Sequence, residues 1–387
     1  MDFWYIFFGG LIGLWMMMGS IGRKWRSFLT IIYLVVIIIA CGLRNYIGAD
    51  FPTYVMFYER YAHAEFLGAM NEGMEPIFAL LVSILGWVGG KYQLLFLTYS
   101  VITILGMYYG FRKWLEKDSL AVFLAMLLYM TYNSTGGFWW GMNVIRQAAA
   151  MSVAFAFSEC LMHQEKKKFL IVVCIASLFH YSALVFLPAV FLLEKEIAKK
   201  RIIYFLIGAI FLTLSGVSKI IVLELLNIAL GIIGKYEEAM LLITDGGKGF
   251  SYMSLIYVLM FIGSILINKE SLEPRKKVIW NLSFVYIIMR VLTSFSLGGP
   301  SIQFILHRFE VYYMPFFLLA VSEALMVMME RIKPKVMSRL VVAFFLIIMS
   351  SLEIITIAKW GGYADYPLEP NYPPDIVEYE INTDLCE

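Results

Sequence analysis

Residues 23–43 read RKWRSFLTIIYLVVIIIACGL: the bases Arg23, Lys24 and Arg26, then a stretch that is unbrokenly apolar over 31–40. As an α-helix, a segment of this length crosses a hydrocarbon core of about 30 Å, and its main chain satisfies its own hydrogen bonds, as lipid requires. Apolar runs of the same kind recur at 202–214, 253–267 and 340–349. The whole chain shares the bias. It is 61% hydrophobic and 16% charged, whereas a soluble domain carries about a quarter of its residues charged. A soluble fold cannot hide that much apolar surface; a bilayer needs it on the outside. The sequence therefore predicts an all-α, polytopic membrane protein with about ten to thirteen transmembrane or re-entrant helices and long outer loops. Alternating strands of about ten residues, the mark of an outer-membrane barrel, are absent.

A net charge of +2 gives no basic surface for nucleic acid. The first apolar stretch has no basic region before it and a second follows at once, so it reads as a retained helix, not a cleaved signal peptide. Cys41, Cys160 and Cys174 fall in apolar segments and read as small core residues, with Cys386 a spare thiol in the tail.

Lys and Arg set the orientation. Most of the 31 bases sit in six short segments: Arg23, Lys24 and Arg26; Arg112, Lys113 and Lys117; Lys166, Lys167 and Lys168; Lys195, Lys199, Lys200 and Arg201; Lys269, Arg275, Lys276 and Lys277; Arg331, Lys333, Lys335 and Arg339. The positive-inside rule places all six in the cytoplasm of a plasma-membrane protein. An even number of crossings must then separate consecutive segments. The crossings predicted are 3–18, 27–43, 93–111, 120–134, 143–163, 202–217, 251–268, 278–295, 308–328 and 340–358. Parity also requires 76–89 to be a short helix inserted from the outer side. Segment 169–193 becomes a broken hairpin turning near His180; a single crossing there would invert everything downstream. The result is one membrane domain over 1–358 with outer segments 44–92 and 218–250, and a Pro-rich acidic tail over 359–387 outside. The stretch after Lys219, with Glu224, Asn227 and Gly231 on one face, reads as a helix in the interface plane. No inner loop can house a nucleotide-binding domain, and the run from Asp245 to Gly249 is a turn without Walker spacing. A substrate must be delivered to the outer leaflet.

The bases left over are Arg44, Arg60, Lys91, Arg146, Lys219, Lys235, Lys248, Arg290, Arg308 and Lys359. Arg44, Arg146, Arg290 and Arg308 stand at or inside the predicted outer ends of helices. An arginine at membrane depth costs about 2.5–3.5 kcal/mol by insertion scales, so it faces a cavity or a partner. The structural alternative pairs each with an acid, and Asp50, Glu59, Glu75 and Glu310 are available. As a functional group, converging guanidiniums suit a diphosphate, whose oxygens their planar forks bind in pairs. Among the histidines, His180 at the expected hairpin turn and His307 beside Arg308 can accept a proton near neutral pH; His63 and His163 lie in solvent-facing segments. No metal-ligand motif is present, and no cofactor is expected.

At these residues the sequence resembles the EpsG-like, Wzy-type polysaccharide polymerases. The matching stretches are Arg44-Asn45-Tyr46-Ile47-Gly48-Ala49-Asp50 with Tyr54 and Tyr58, Ile145-Arg146-Gln147-Ala148, Phe179-His180-Tyr181-Ser182-Ala183, and Arg308 with Tyr312. They fall in order between about residues 30 and 330; segment 218–250 and the tail carry no matching motif. The resemblance implies an enzyme that joins undecaprenyl-diphosphate-linked oligosaccharide repeats at the outer face of the plasma membrane, for capsule, exopolysaccharide or O-antigen. Its partners would be that lipid-linked substrate, membrane lipid, and a flippase and chain-length regulator of the same pathway. In this reading Arg146, Arg290, Arg44 and Arg308 bind the diphosphate, His180 or Asp50 takes the proton of the attacking hydroxyl, and Gln147, His307, Tyr181 and Tyr312 support them. A lipid-oligosaccharide flippase or other transporter, a membrane O-acyltransferase and a glycan ligase are the alternatives. The first should carry repeats or bases along the whole passage, the second a route for a cytosolic acyl donor, and the third differs only in its acceptor.

Overall fold

A computed structural model describes residues 2–44, 48, 50–63, 68, 70, 73–116, 118–132, 141–192, 197–218, 221, 224, 252–267, 273–294 and 308–359. Among these residues every regular element is helical and none is a strand, so the chain is an all-α protein. The α-helices in chain order are α1 Asp2–Met18, α2 Arg23–Gly42, α3 Phe51–Tyr61, α4 Pro76–Trp87, α5 Tyr92–Trp114, α6 Ser119–Thr131, α7 Ile145–Ala156, α8 Lys166–Phe179, α9 Lys199–Leu214, α10 Tyr252–Ile267, α11 Pro274–Ser294, α12 Met314–Arg331 and α13 Lys335–Lys359. Two 3-10 helices, Ser158–Leu161 and Tyr181–Leu192, follow α7 and α8. Segment 218–250 and the tail lie outside the described residues apart from isolated positions.

Among the described residues three stretches, Lys24–Gly42, Tyr92–Trp114 and Lys335–Leu352, are long and apolar enough to cross a membrane alone. Some of the other apolar runs, those of α6 and α7 above all, give shorter helices than the expected crossings. Thirteen residues in α6 rise only about 20 Å, and α11 and α12 have the length but carry charges such as Arg290 and Glu323. Ile6, Ile31, Phe211, Leu266 and Phe344 are exposed, while Ser152, Asn143, Gln147 and Asn281 are buried. Apolar side chains outside and polar ones within is the pattern lipid favours. Cys41 and Cys160 are buried as predicted, but Cys174 is exposed on α8; a thiol is apolar enough to face lipid without cost.

The chain divides into two compact units. The first comprises Met1–Cys160, Lys166–Leu184 and Met329–Glu387. Its centre is α5, packed on α2 and α7. Gly106 and Gly110 make the α7 contact possible: a Cβ at Gly110 would lie 2.4 Å from the Phe155 ring, and one at Gly106 2.9 Å from the Ser152 hydroxyl. Small residues four apart let helix backbones approach where no hydrophobic force drives them together. At one end of the pair Trp114 Nε1 donates to Ser158 Oγ at 3.0 Å and Lys113 meets Glu159 at 3.1 Å. Arg339 fastens the start of α13 to the end of α1 by donating to the Gly19 carbonyl at 2.6 Å and to Ser20 Oγ at 2.7 Å. Helices α3, α4 and α5 share an aromatic cluster of Phe51, Tyr54, Phe78, Phe96 and Tyr99. In α8 the helix stops at Phe179 and continues from Tyr181 as a 3-10 helix containing Pro188; the break falls at His180, as predicted.

The second unit comprises Leu161–Glu165 and Val185–Met328. Here α11 packs on α9 and α10, with Phe261 against Trp280 at 6.0 Å and Tyr286 against Phe317 of α12 at 5.2 Å. Asn281 closes the connection into α9: its amide donates to the Leu192 carbonyl at 2.5 Å and its oxygen accepts from Ile197 N–H at 3.2 Å.

Candidate functional site

Glu75 precedes Pro76, the first residue of α4. A residue before proline is held extended, and here ψ is 144°. Proline brings no N–H to be capped, and the Glu75 carboxylate makes no capping bond. It turns instead to Arg146 of α7 and forms an ion pair with the guanidinium. Gly86 seats α4 for this, since a Cβ there would meet the Ala62 carbonyl oxygen at 1.8 Å. Arg146 occupies the first turn of α7, where a cation opposes the helix dipole. Glu75 offsets that cost, and the Tyr54 and Phe78 rings stand 5.7 and 5.1 Å from the guanidinium carbon. Burial pushes the Tyr54 phenol above its ordinary value, against the pull of Arg146, so its hydroxyl keeps its proton.

The same carboxylate faces His180, whose Nε2 lies 3.8 Å from Glu75 Oε1. The other edge of the ring is occupied by Ser182: Oγ is 2.7 Å from Nδ1, and the Ser182 main-chain N–H donates to Nδ1 at 3.2 Å. Gln147, on the next position of α7, donates from Nε2 to Ser182 Oγ at 2.8 Å. Arg146, Glu75, His180, Ser182 and Gln147 thus form one polar chain across α4, α7 and the α8 break. Glu75 is buried, Arg146 and His180 are part-buried, and Tyr181 beside them is exposed. The cluster therefore meets the surface through the arginine and the histidine.

Arg44, at the end of α2, is buried and donates to the main-chain carbonyls of Cys41 and Met142, each at 2.6 Å. Its guanidinium carbon is 4.2 Å from the Phe96 ring centre. Arg44 and Arg146 thus lean on different rings of one aromatic cluster, and Arg44 ties the chain entering α7 to α2. Asp50 sits at the start of α3 without capping it, and its charge acts on Tyr54.

In the second unit Arg290 of α11 pairs with Glu310 at 2.5 Å, both essentially without solvent contact. Tyr257 lies 5.3 Å from that guanidinium. Arg308 was expected to begin a long helix; residues 308–310 are helical, but the turn 311–313 divides them from α12, which starts at Met314. The helical residues 308–310 carry Glu310 to Arg290. Tyr312 is buried and stacks on Phe186 at 6.4 Å. His307 lies outside the described residues.

A family model described as the EpsG family matches residues 26–367. The chain belongs to the EpsG family. Membership makes it an EpsG-like, polysaccharide-polymerising enzyme of the membrane. No curated protein and no solved structure matches it. Glu75 and Ser182 are the members of this polar cluster that the sequence reading did not select as site residues. Glu75 had a signal, an acid before proline at the head of an apolar helix. Ser182 had its place in the matching stretch Phe179-His180-Tyr181-Ser182-Ala183.

Proposed function

We propose that this EpsG-family enzyme lengthens a surface polysaccharide by joining undecaprenyl-diphosphate-linked oligosaccharide repeats at the outer face of the plasma membrane, without a metal. The observation that carries the reading is the polar chain of Arg146, Glu75, His180, Ser182 and Gln147. It combines a cation for a leaving diphosphate with an imidazole for an attacking hydroxyl, in a helical protein with no inner loop fit for a nucleotide-sugar domain.

Arg146 holds the diphosphate of the donor and stabilises charge as the glycosidic bond breaks. His180, or in its place Asp50, takes the proton of the acceptor hydroxyl. Arg44 holds α7 at the depth that offers Arg146 to the carrier. Two lipid-linked molecules meet in this reaction, each with a diphosphate. Arg290 and Arg308 in the second unit are assigned to the same carrier chemistry, with Tyr312 as support. The six basic segments face the cytoplasm, and 44–92, 218–250 and the C-terminus face out. A flippase and a chain-length regulator would act on the same substrate before and after it.

The deciding experiment uses purified protein in vesicles with lipid-linked repeat as the sole substrate. Formation of polymer with release of undecaprenyl diphosphate is expected. Translocation of the repeat without any polymer would instead make the protein a flippase.

A further inference from the structure

Glu75 stands between two partners, and their geometry is asymmetric. One carboxylate oxygen is engaged with Arg146, and the other lies 3.8 Å from His180 Nε2, beyond hydrogen-bond length. The state of the imidazole follows from its other edge. Nδ1 receives the Ser182 main-chain N–H at 3.2 Å, so it is an acceptor. Gln147 donates to Ser182 Oγ, which leaves the hydroxyl's own proton directed at Nδ1, 2.7 Å away. The neutral ring therefore carries its proton on Nε2, the edge turned towards Glu75. A lipid diphosphate arriving at Arg146 brings more negative charge than one carboxylate and matches the guanidinium fork. Glu75 must then give up its place, and its other oxygen already faces the Nε2–H of His180, 3.8 Å away.

We propose that Glu75 is the counter-anion that the donor diphosphate displaces from Arg146, and that the displaced carboxylate hydrogen-bonds to His180 Nε2–H and so makes Nδ1 the working base. The inference rests on the function proposed above. A carboxylate on one imidazole nitrogen raises the basicity of the other. The acceptor hydroxyl passes its proton to Ser182 Oγ as Ser182 passes its own to Nδ1. The electron pair of the acceptor oxygen forms the new bond to the anomeric carbon. The bond from that carbon to the diphosphate oxygen breaks, and its pair leaves with the diphosphate held by Arg146. The proton rests on His180, now an imidazolium beside Glu75. The acceptor is thus activated only when a leaving group is seated. Glu75 is a positioning residue, acting through Arg146 and His180 without touching the sugars.

The test measures binding of undecaprenyl diphosphate and steady-state polymerisation on purified variants. Glu75→Gln removes a competitor for Arg146 and the partner of His180, so the carrier should bind about tenfold tighter while kcat falls about a hundredfold. A structural role alone would weaken both. Unchanged kcat, or weaker binding, overturns the proposal. If Glu75→Gln does not accumulate, Glu75→Asp carries the test: the shorter carboxylate keeps the charge but retracts from Nε2, lowering kcat about tenfold with binding unchanged. Wild-type kinetics or lost binding in that variant likewise overturns it. Arg146→Gln separates the two levels. Undiminished carrier binding there sinks the diphosphate assignment itself. Lost binding there, with wild-type kinetics in Glu75→Gln, sinks the displacement alone.

Discussion

Arg146 occupies the end of a helix where the dipole favours an anion, and only a strong partner or a function keeps it there. A lysine would preserve the charge and lose the fork, so Arg146→Lys should lower polymer-forming activity about a hundredfold with normal expression. Polymer yield and length, measured against protein level, check this. His180→Ala should abolish polymerisation and leave single repeats on the lipid; continued full-length polymer would exclude it as the base. Arg290 differs because both it and Glu310 are sealed from solvent. Arg290→Met should leave Glu310 as an uncompensated charge and cost about 3–5 kcal/mol, read as a lowered Tm in detergent. Adding Glu310→Leu should restore most of that stability. If the stable double variant also polymerises normally, Arg290 is a structural residue. The need for partners was legible at this scale, because bases within or beside apolar runs of a membrane chain stand out. Which acid each one takes was not: Glu75 and Arg146 are 71 residues apart, and nothing local in either segment names the other.

At the scale of elements, apolar runs located most of the helices that the structure describes, but not α3, Phe51–Tyr61, which lies in the expected outer segment, and not their lengths. The expected crossing at 143–163 contains α7, which ends at Ala156 and gives way to a 3-10 turn. The expected break near His180 is real, yet its second half is a 3-10 helix around Pro188. Hydropathy has no term for that distinction, since both helix types bury the same side chains. Contacts between elements were equally silent. The packing of α5 on α7 depends on Gly106 and Gly110, whose role appears only once Ser152 and Phe155 lie against them. Gly110→Leu should force these helices apart and destabilise the protein by about 1–3 kcal/mol, measurable as earlier thermal unfolding. The same change at Gly208, where a Cβ would meet nothing within 4 Å, should be far milder.

For the molecule as a whole, the reading depends on which face of the membrane the basic loops occupy. In a cysteine-free background, Glu59→Cys should react with an impermeant thiol reagent on intact cells, and Lys277→Cys only after permeabilisation. Labelling of the latter from outside would mean that 169–193 crosses once, inverting everything after it. Cells lacking the protein should accumulate single lipid-linked repeats without polymer. By itself the sequence determined that this is a helical membrane protein, where most of its helices fall, and which arginines need an explanation. Composition and charge placement settle these, because lipid tolerates neither exposed main chain nor stray cations. Tertiary structure alone decided that Glu75 lies between Arg146 and His180, that Ser182 and Gln147 complete the chain, and that Arg290 is enclosed with Glu310. Such pairings join residues far apart in sequence, and only the packing of helices against one another brings them within reach.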